Sequence, residues 1–163
     1  MRVAVAIAVL ISSAPGVAAD RPAPAGSLCA AGETVYFHCA AATGRSINVC
    51  GAGGDALQYR FGRGKVVELA YPADASHGAD RFRYAHYFRY QTDRHELRFE
   101  NDGVEYVVFD HQEEGRRRAG VRFSTHGKER DVVCTGPVRG RLAALEDTVP
   151  CDTDSALNLG QCR

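Results

Sequence analysis

The stretch Ser76-His77-Gly78-Ala79-Asp80-Arg81-Phe82 places a hydroxyl, an imidazole and a guanidinium close together. A guanidinium is a planar, permanently charged donor suited to carboxylates. A hydroxyl beside it can stand in for a hydroxyl of a glycan. Gly78 and Ala79 are small enough to let such a loop protrude. Ser76, His77, Gly78 and Arg81 are therefore the candidate partner-binding residues, with an ordinary solvated turn as the plainer reading. Elsewhere the chemistry is thin. There is no phosphate loop, no G-x-S-x-G elbow and no H-E-x-x-H helix. The six histidines, His38, His77, His86, His95, His111 and His126, are scattered. His86 lies among aromatics and reads as a hydrogen-bonded core histidine rather than a metal ligand. His111 with Glu113 and Glu114 reads as a polar turn. Asp152-Thr153-Asp154 and Asn158 echo a calcium loop, but the Gly and the closing Glu of an EF-hand are missing at the required spacing. No catalytic residue, metal ligand or cofactor is assigned. A small exported enzyme using His and a carboxylate would need both groups in one pocket, and the spacing brings no such pair together. A purely structural envelope protein is the third alternative.

Cys29, Cys39, Cys50, Cys134, Cys151 and Cys162 are the second chemical signal. A metal site would favour close C-x-x-C pairs, whereas the nearest of these lie about ten residues apart. An even number in an exported chain reads as disulfides. Six cysteines allow 15 pairings, and sequence does not choose among them. The preferred arrangement joins Cys39 to Cys134 and closes local loops with Cys29–Cys50 and Cys151–Cys162.

Export is read from the first residues. Met1-Arg2 is a short positive region, Val3 to Ile11 an apolar run, and Val17-Ala18-Ala19 a small-residue cleavage site. Residues 1–19 are thus expected to be a signal peptide and the mature chain periplasmic or secreted. The apolar run is too short for an ordinary membrane span. Leu28 before Cys29 does not suit a lipobox, so no membrane anchor is expected. Twenty basic residues balance twenty acidic ones, which leaves no global field to attract nucleic acid. All the basic residues except Lys65 and Lys128 are Arg.

Residues 20–33 read as a flexible leader, rich in Pro and Ala between Arg21 and Gly26. From Thr34 the apolar residues alternate with period two, as in half-buried strands. Val35, Phe37 and Cys39 share one face. Leu57, Tyr59 and Phe61 share another, and so do Val67, Leu69 and Tyr71. Phe82, Tyr84, His86, Phe88 and Tyr90 form an aromatic face, followed by His95, Leu97 and Phe99. Phe82, Tyr84, Phe88, Leu97, Phe99 and Tyr106 are expected to point inward. The mixture of Arg and aromatics from Arg81 to Tyr90 could bind single-stranded nucleic acid. Strand alternation explains it more simply, with aromatics inward and arginines in water. Asn101-Asp102-Gly103 is a hairpin signal. About nine short strands follow one another too closely for parallel crossovers. The expected fold is one all-β domain over residues 34–163, an antiparallel barrel or sandwich-like structure. It should carry a short helix at Arg141–Asp147 and a disulfide-stapled tail.

Over residues 34–90 the order of features resembles the periplasmic and membrane-bound inhibitors of c-type lysozyme. Phe37-His38-Cys39 stands where that family has Tyr-x-Cys, and Gly44 to Val49 resembles its Gly-x-x-Leu-x-Val strand. Ser76, Gly78, Arg81 and Phe82 resemble its Ser-Gly-x-x-Tyr loop with one extra residue. The resemblance implies a small β-barrel whose loop enters the active site of an exported or host hydrolase. The chain differs from that family in having no Trp and in carrying four additional cysteines. Leu57–Gly62 (LQYRFG) and Ala156–Cys162 (ALNLGQC) also resemble segments of exported proteobacterial proteins of uncharacterised function. The expected function is a non-catalytic binding module of the cell envelope, with a glycan-hydrolase inhibitor as its most specific form.

Overall fold

A computed structural model describes residues 23–159, 161 and 162, and the expected signal peptide lies outside them. The described residues form nine antiparallel strands in two sheets. The first sheet is a four-stranded meander of β1 (Thr34–Ala40), β2 (Arg45–Gly53), β3 (Ala56–Arg63) and β4 (Val66–Tyr71). The second is a five-stranded meander of β5 (Arg83–Arg89), β6 (Thr92–Asn101), β7 (Val104–Glu113), β8 (Arg116–Thr125) and β9 (Lys128–Val133). The sheets do not close on one another, so the fold is sandwich-like rather than a barrel. Pro72 ends β4, and the 3-10 turn Gly78–Arg81 leads into β5.

The period-two pattern sets which side of each strand faces the other sheet. Phe37, Cys39, Ile47, Val49, Leu57 and Tyr59 from the first sheet meet Tyr84, Leu97, Phe99, Val108 and Val121 from the second, together with Phe82 just before β5. Phe99 is the centre of an aromatic cluster, with the rings of Tyr71, Tyr106, Tyr59 and Phe82 between 4.6 and 5.4 Å away. Asp102 and Gly103, both at positive φ, make the two-residue turn that the Asn-Asp-Gly signal calls for.

The disulfides are Cys29–Cys50, Cys39–Cys134 and Cys151–Cys162, the arrangement preferred from sequence. Three disulfides fit an oxidising compartment. Ser27 to Glu33 lie across the outer face of the first sheet. Asn48, fully buried, accepts from the Leu28 amide at 3.0 Å, and Arg60 grips both Glu33 carboxylate oxygens at 2.6 and 2.8 Å.

Two expectations need correction. Phe88 does not point into the core but is 72% exposed, and Tyr90 beside it is more exposed still. Alternation shows which side of the sheet a residue occupies, not how far the opposite sheet extends over it. The short helix expected at Arg141–Asp147 is a single 3-10 turn, Leu142–Leu145. Leu142 and Leu145, three apart, are both buried, and a three-residue repeat suits a 3-10 turn.

Candidate functional site

Among the four residues singled out from sequence, the turn Ser76–Arg81 does not project freely. The Ala79 amide donates to the Asp55 carbonyl at 2.9 Å, and the Leu57 amide to that of Ala75 at 3.1 Å. Gly78 and Ala79 are buried and act as its anchor. A Cβ on Gly78 would stand 1.9 Å from the Leu57 carbonyl oxygen, so only glycine fits there. The side chains left in solvent are those of Ser76, His77, Asp80 and Arg81. The Asp55 hydrogen bond to His77 raises the imidazole pKa and lowers that of the carboxyl.

Arg81 borders an open cleft of about 320 Å³ with Arg83 and Arg98, where Asp80, Glu100 and Glu105 supply the opposite charge. Arg98 is held by Asp152 at 2.6 Å and Glu105 at 3.2 Å. Arg83 donates to the main-chain carbonyls of Asp80 and Phe82. Among the described residues Arg81 has no carboxylate within ion-pair distance. Asp152, in the segment that echoed a calcium loop, is buried and engaged with Arg98 through both oxygens.

At the opposite end of β5 the inner face of the second sheet changes character. The tight turn at Tyr90-Gln91 sets His86 opposite His95, and β7 sets Asp110 opposite His95. Asp93 Oδ1 lies 2.9 Å from His86 Nε2 and 3.1 Å from His95 Nε2. The two rings stack with centroids 4.4 Å apart. His95 Nδ1 is 2.7 Å from the Tyr84 hydroxyl, and His86 Nδ1 is 3.1 Å from Glu146 Oε1. Glu146 directly follows the Leu142–Leu145 turn that plugs this end of the core. Burial lowers the His95 pKa against the pull of Asp93, and burial raises that of Tyr84. Asp110 closes the group through a two-pronged bond with Arg117, 2.7 Å on each side. His86 is thus hydrogen-bonded, as expected from sequence, but half-buried at the edge of the core rather than within it. His111 pairs with Glu96 of the neighbouring strand β6 at 3.0 Å.

Sequence reasoning missed Asp93, Glu146 and Tyr84 as partners of these histidines. The signal for Asp93 was present: folding the chain about Tyr90-Gln91 pairs 86 with 95 and 88 with 93. Glu146 carries no such signal, because it reaches His86 only through the tertiary path of the chain.

These features define a disulfide-bonded, all-β sandwich with an anchored polar turn at one end and a polar histidine cluster at the other. No protein-family model, curated protein or solved structure matches the chain.

Proposed function

We propose that this chain is a non-catalytic binding module of the periplasm or the secreted space, and that it contacts its partner through Ser76, His77 and Arg81, while Gly78, a candidate contact from sequence, is buried and anchors the turn instead. The observation that carries the reading is Arg81, an exposed guanidinium without a carboxylate partner among the described residues, set on a turn anchored by buried Gly78 and Ala79. An anchored turn loses little conformational freedom on binding. The chemistry sought by Arg81 is a carboxylate, and glycoside hydrolases present a pair of them in an open cleft. Ser76 adds a hydroxyl able to take the place of a glycan hydroxyl. An exported or host glycan hydrolase is therefore the proposed partner, with c-type lysozyme the first to test. The reading involves neither nucleic acid nor a membrane anchor.

The experiment is peptidoglycan turnover by c-type lysozyme with increasing amounts of the mature protein. Dose-dependent inhibition is expected. Arg81→Ala should weaken it by about 30-fold, near 2 kcal/mol, while leaving the far-UV circular dichroism and thermal midpoint unchanged. Unaltered turnover at a hundredfold molar excess refutes lysozyme as the partner. Inhibition untouched by Arg81→Ala refutes the assignment of the surface.

A further inference from the structure

We propose that His86, Asp93 and His95 form a binding site for a borderline divalent transition-metal ion, with Zn²⁺ as its reference ligand. The site lies at the other end of β5 from the Ser76–Arg81 turn and does not depend on the function proposed for that turn.

The first argument is convergence. Both imidazoles direct Nε2 at the same carboxylate oxygen, and the three ligand atoms lie within 4.8 Å of one another. Zinc binds nitrogen and oxygen at about 2.0–2.2 Å, so two of its ligands stand about 2.9–3.4 Å apart for angles between a right angle and the tetrahedral one. The observed separations of Asp93 Oδ1 from the two nitrogens, 2.9 and 3.1 Å, already fall in that range.

The second argument is the other nitrogen of each ring. A carboxylate can only accept, so the contact with Glu146 places a proton on His86 Nδ1. Nε2 of that ring then meets the Asp93 carboxylate as one acceptor facing another. A cation between them resolves the conflict, whether a second proton or a metal ion. His95 is prepared in the same way, because the Tyr84 hydroxyl can accept from its Nδ1 and leave Nε2 turned to Asp93. Metal-bound histidines are characteristically oriented by such outer partners.

Rigidity and donor type complete the case. His86 and His95 occupy paired positions of adjacent strands, so little needs to move. The His95 side chain is 11% exposed and that of His86 26%, while that of Asp93 is 43% exposed and leaves an approach from solvent. Two imidazoles and one carboxylate suit Zn²⁺, Cu²⁺ and Ni²⁺, whereas Mg²⁺ and Ca²⁺ prefer oxygen donors throughout.

The test uses the untagged, disulfide-intact mature chain, stripped with chelator and titrated with Zn²⁺ by calorimetry, with bound metal counted after equilibrium dialysis. One Zn²⁺ per chain is expected, displaceable by Cu²⁺ but not by millimolar Mg²⁺. His95 is buried and is left in place. His86→Ala and Asp93→Asn should each weaken binding by about 10-fold or more. His126→Ala, which alters an exposed histidine outside the cluster, should bind as the unaltered chain does. Copper loading adds a structural readout: the electron paramagnetic resonance spectrum should show two nitrogen donors, and one after His86→Ala. Zinc held no more tightly than the millimolar range overturns the proposal. So does affinity unchanged in both variants, or a nitrogen count unchanged by His86→Ala.

Discussion

Replacing Phe99 by Ala removes the ring on which the two sheets meet. Phe99 is 3% exposed and lies between Tyr71 and Tyr106, stacked on both at 4.6 and 4.8 Å, while Phe82 meets it edge-on. The substitution exchanges roughly 100 Å² of buried apolar surface for nothing, a loss of about 2.5 kcal/mol. A residual cavity of roughly 80 Å³ adds about 2 kcal/mol, because neighbours fixed in two sheets relax only in part. A total near 4 kcal/mol agrees with the general range of about 3–5 for such changes. Urea denaturation of the disulfide-intact protein, followed by circular dichroism, reads this directly. With a slope of about 2 kcal/mol per molar, the midpoint should fall by roughly 2 M. Phe88→Ala is the matched control: it removes the same ring from a site 72% exposed and should cost less than about 0.5 kcal/mol. A Phe99→Ala midpoint within roughly 0.5 M of the unaltered protein refutes the packing argument. Equal losses at Phe99 and Phe88 refute the placement of the core.

Two other outcomes follow from the disulfides and from the Arg60–Glu33 pair. Thiol labelling of the denatured, unreduced mature protein should find no free cysteine, and two or more labelled thiols per molecule would contradict the three bridges. Burial works to raise the Glu33 pKa, but the bonds from Arg60 and the Ala30 amide outweigh it and hold the carboxyl below its ordinary range. A carboxyl depressed by folding contributes stability that is present above its unfolded pKa, about 4.3, and lost as pH falls through the folded value. Urea midpoints between pH 6 and pH 2 should therefore decline less steeply for Arg60→Gln than for the unaltered protein, and parallel curves would refute the linkage.

What the sequence discloses depends on how local the cause is. The Asp102-Gly103 turn is legible because two residues at positive φ specify it without help from the rest of the chain. The alternation from Phe82 to Tyr84 and from Leu97 to Phe99 is legible because each pair faces the same core. Phe88 is misread by that same rule, since its burial depends on the reach of a different sheet. The choice of sandwich over barrel is also tertiary: it depends on β4 and β5 remaining unpaired after Pro72. In the candidate turn, residue types identify Gly78 and Ala79 as small but not why. Their smallness allows close docking on Leu57 rather than the protrusion expected from sequence. Of the histidine cluster, His86 is visible as a polar member of an aromatic face, while Glu146 arrives from sixty residues away.

The cluster also stands out on energetic grounds. β6, β7 and β8 each run ten residues, longer than any strand of the first sheet. Their inner face therefore continues past the packed core and changes from Leu97 and Val108 to His95 and Asp110. An extension serving only to lengthen the core would be filled as well by apolar side chains, because desolvating paired polar groups offsets most of their attraction. Instead, His86, His95, Asp93 and Asp110 occupy neighbouring positions on three strands, and His86, His95 and Asp110 are each held by a further polar group, Glu146, Tyr84 and Arg117. Sequences depart from the pattern that packing favours chiefly where something other than packing is required. That requirement is what a metal ion at Asp93 would supply: its charge would replace the proton needed between His86 and the carboxylate, and His95 would complete a ligand set that the two hairpin strands already hold in register.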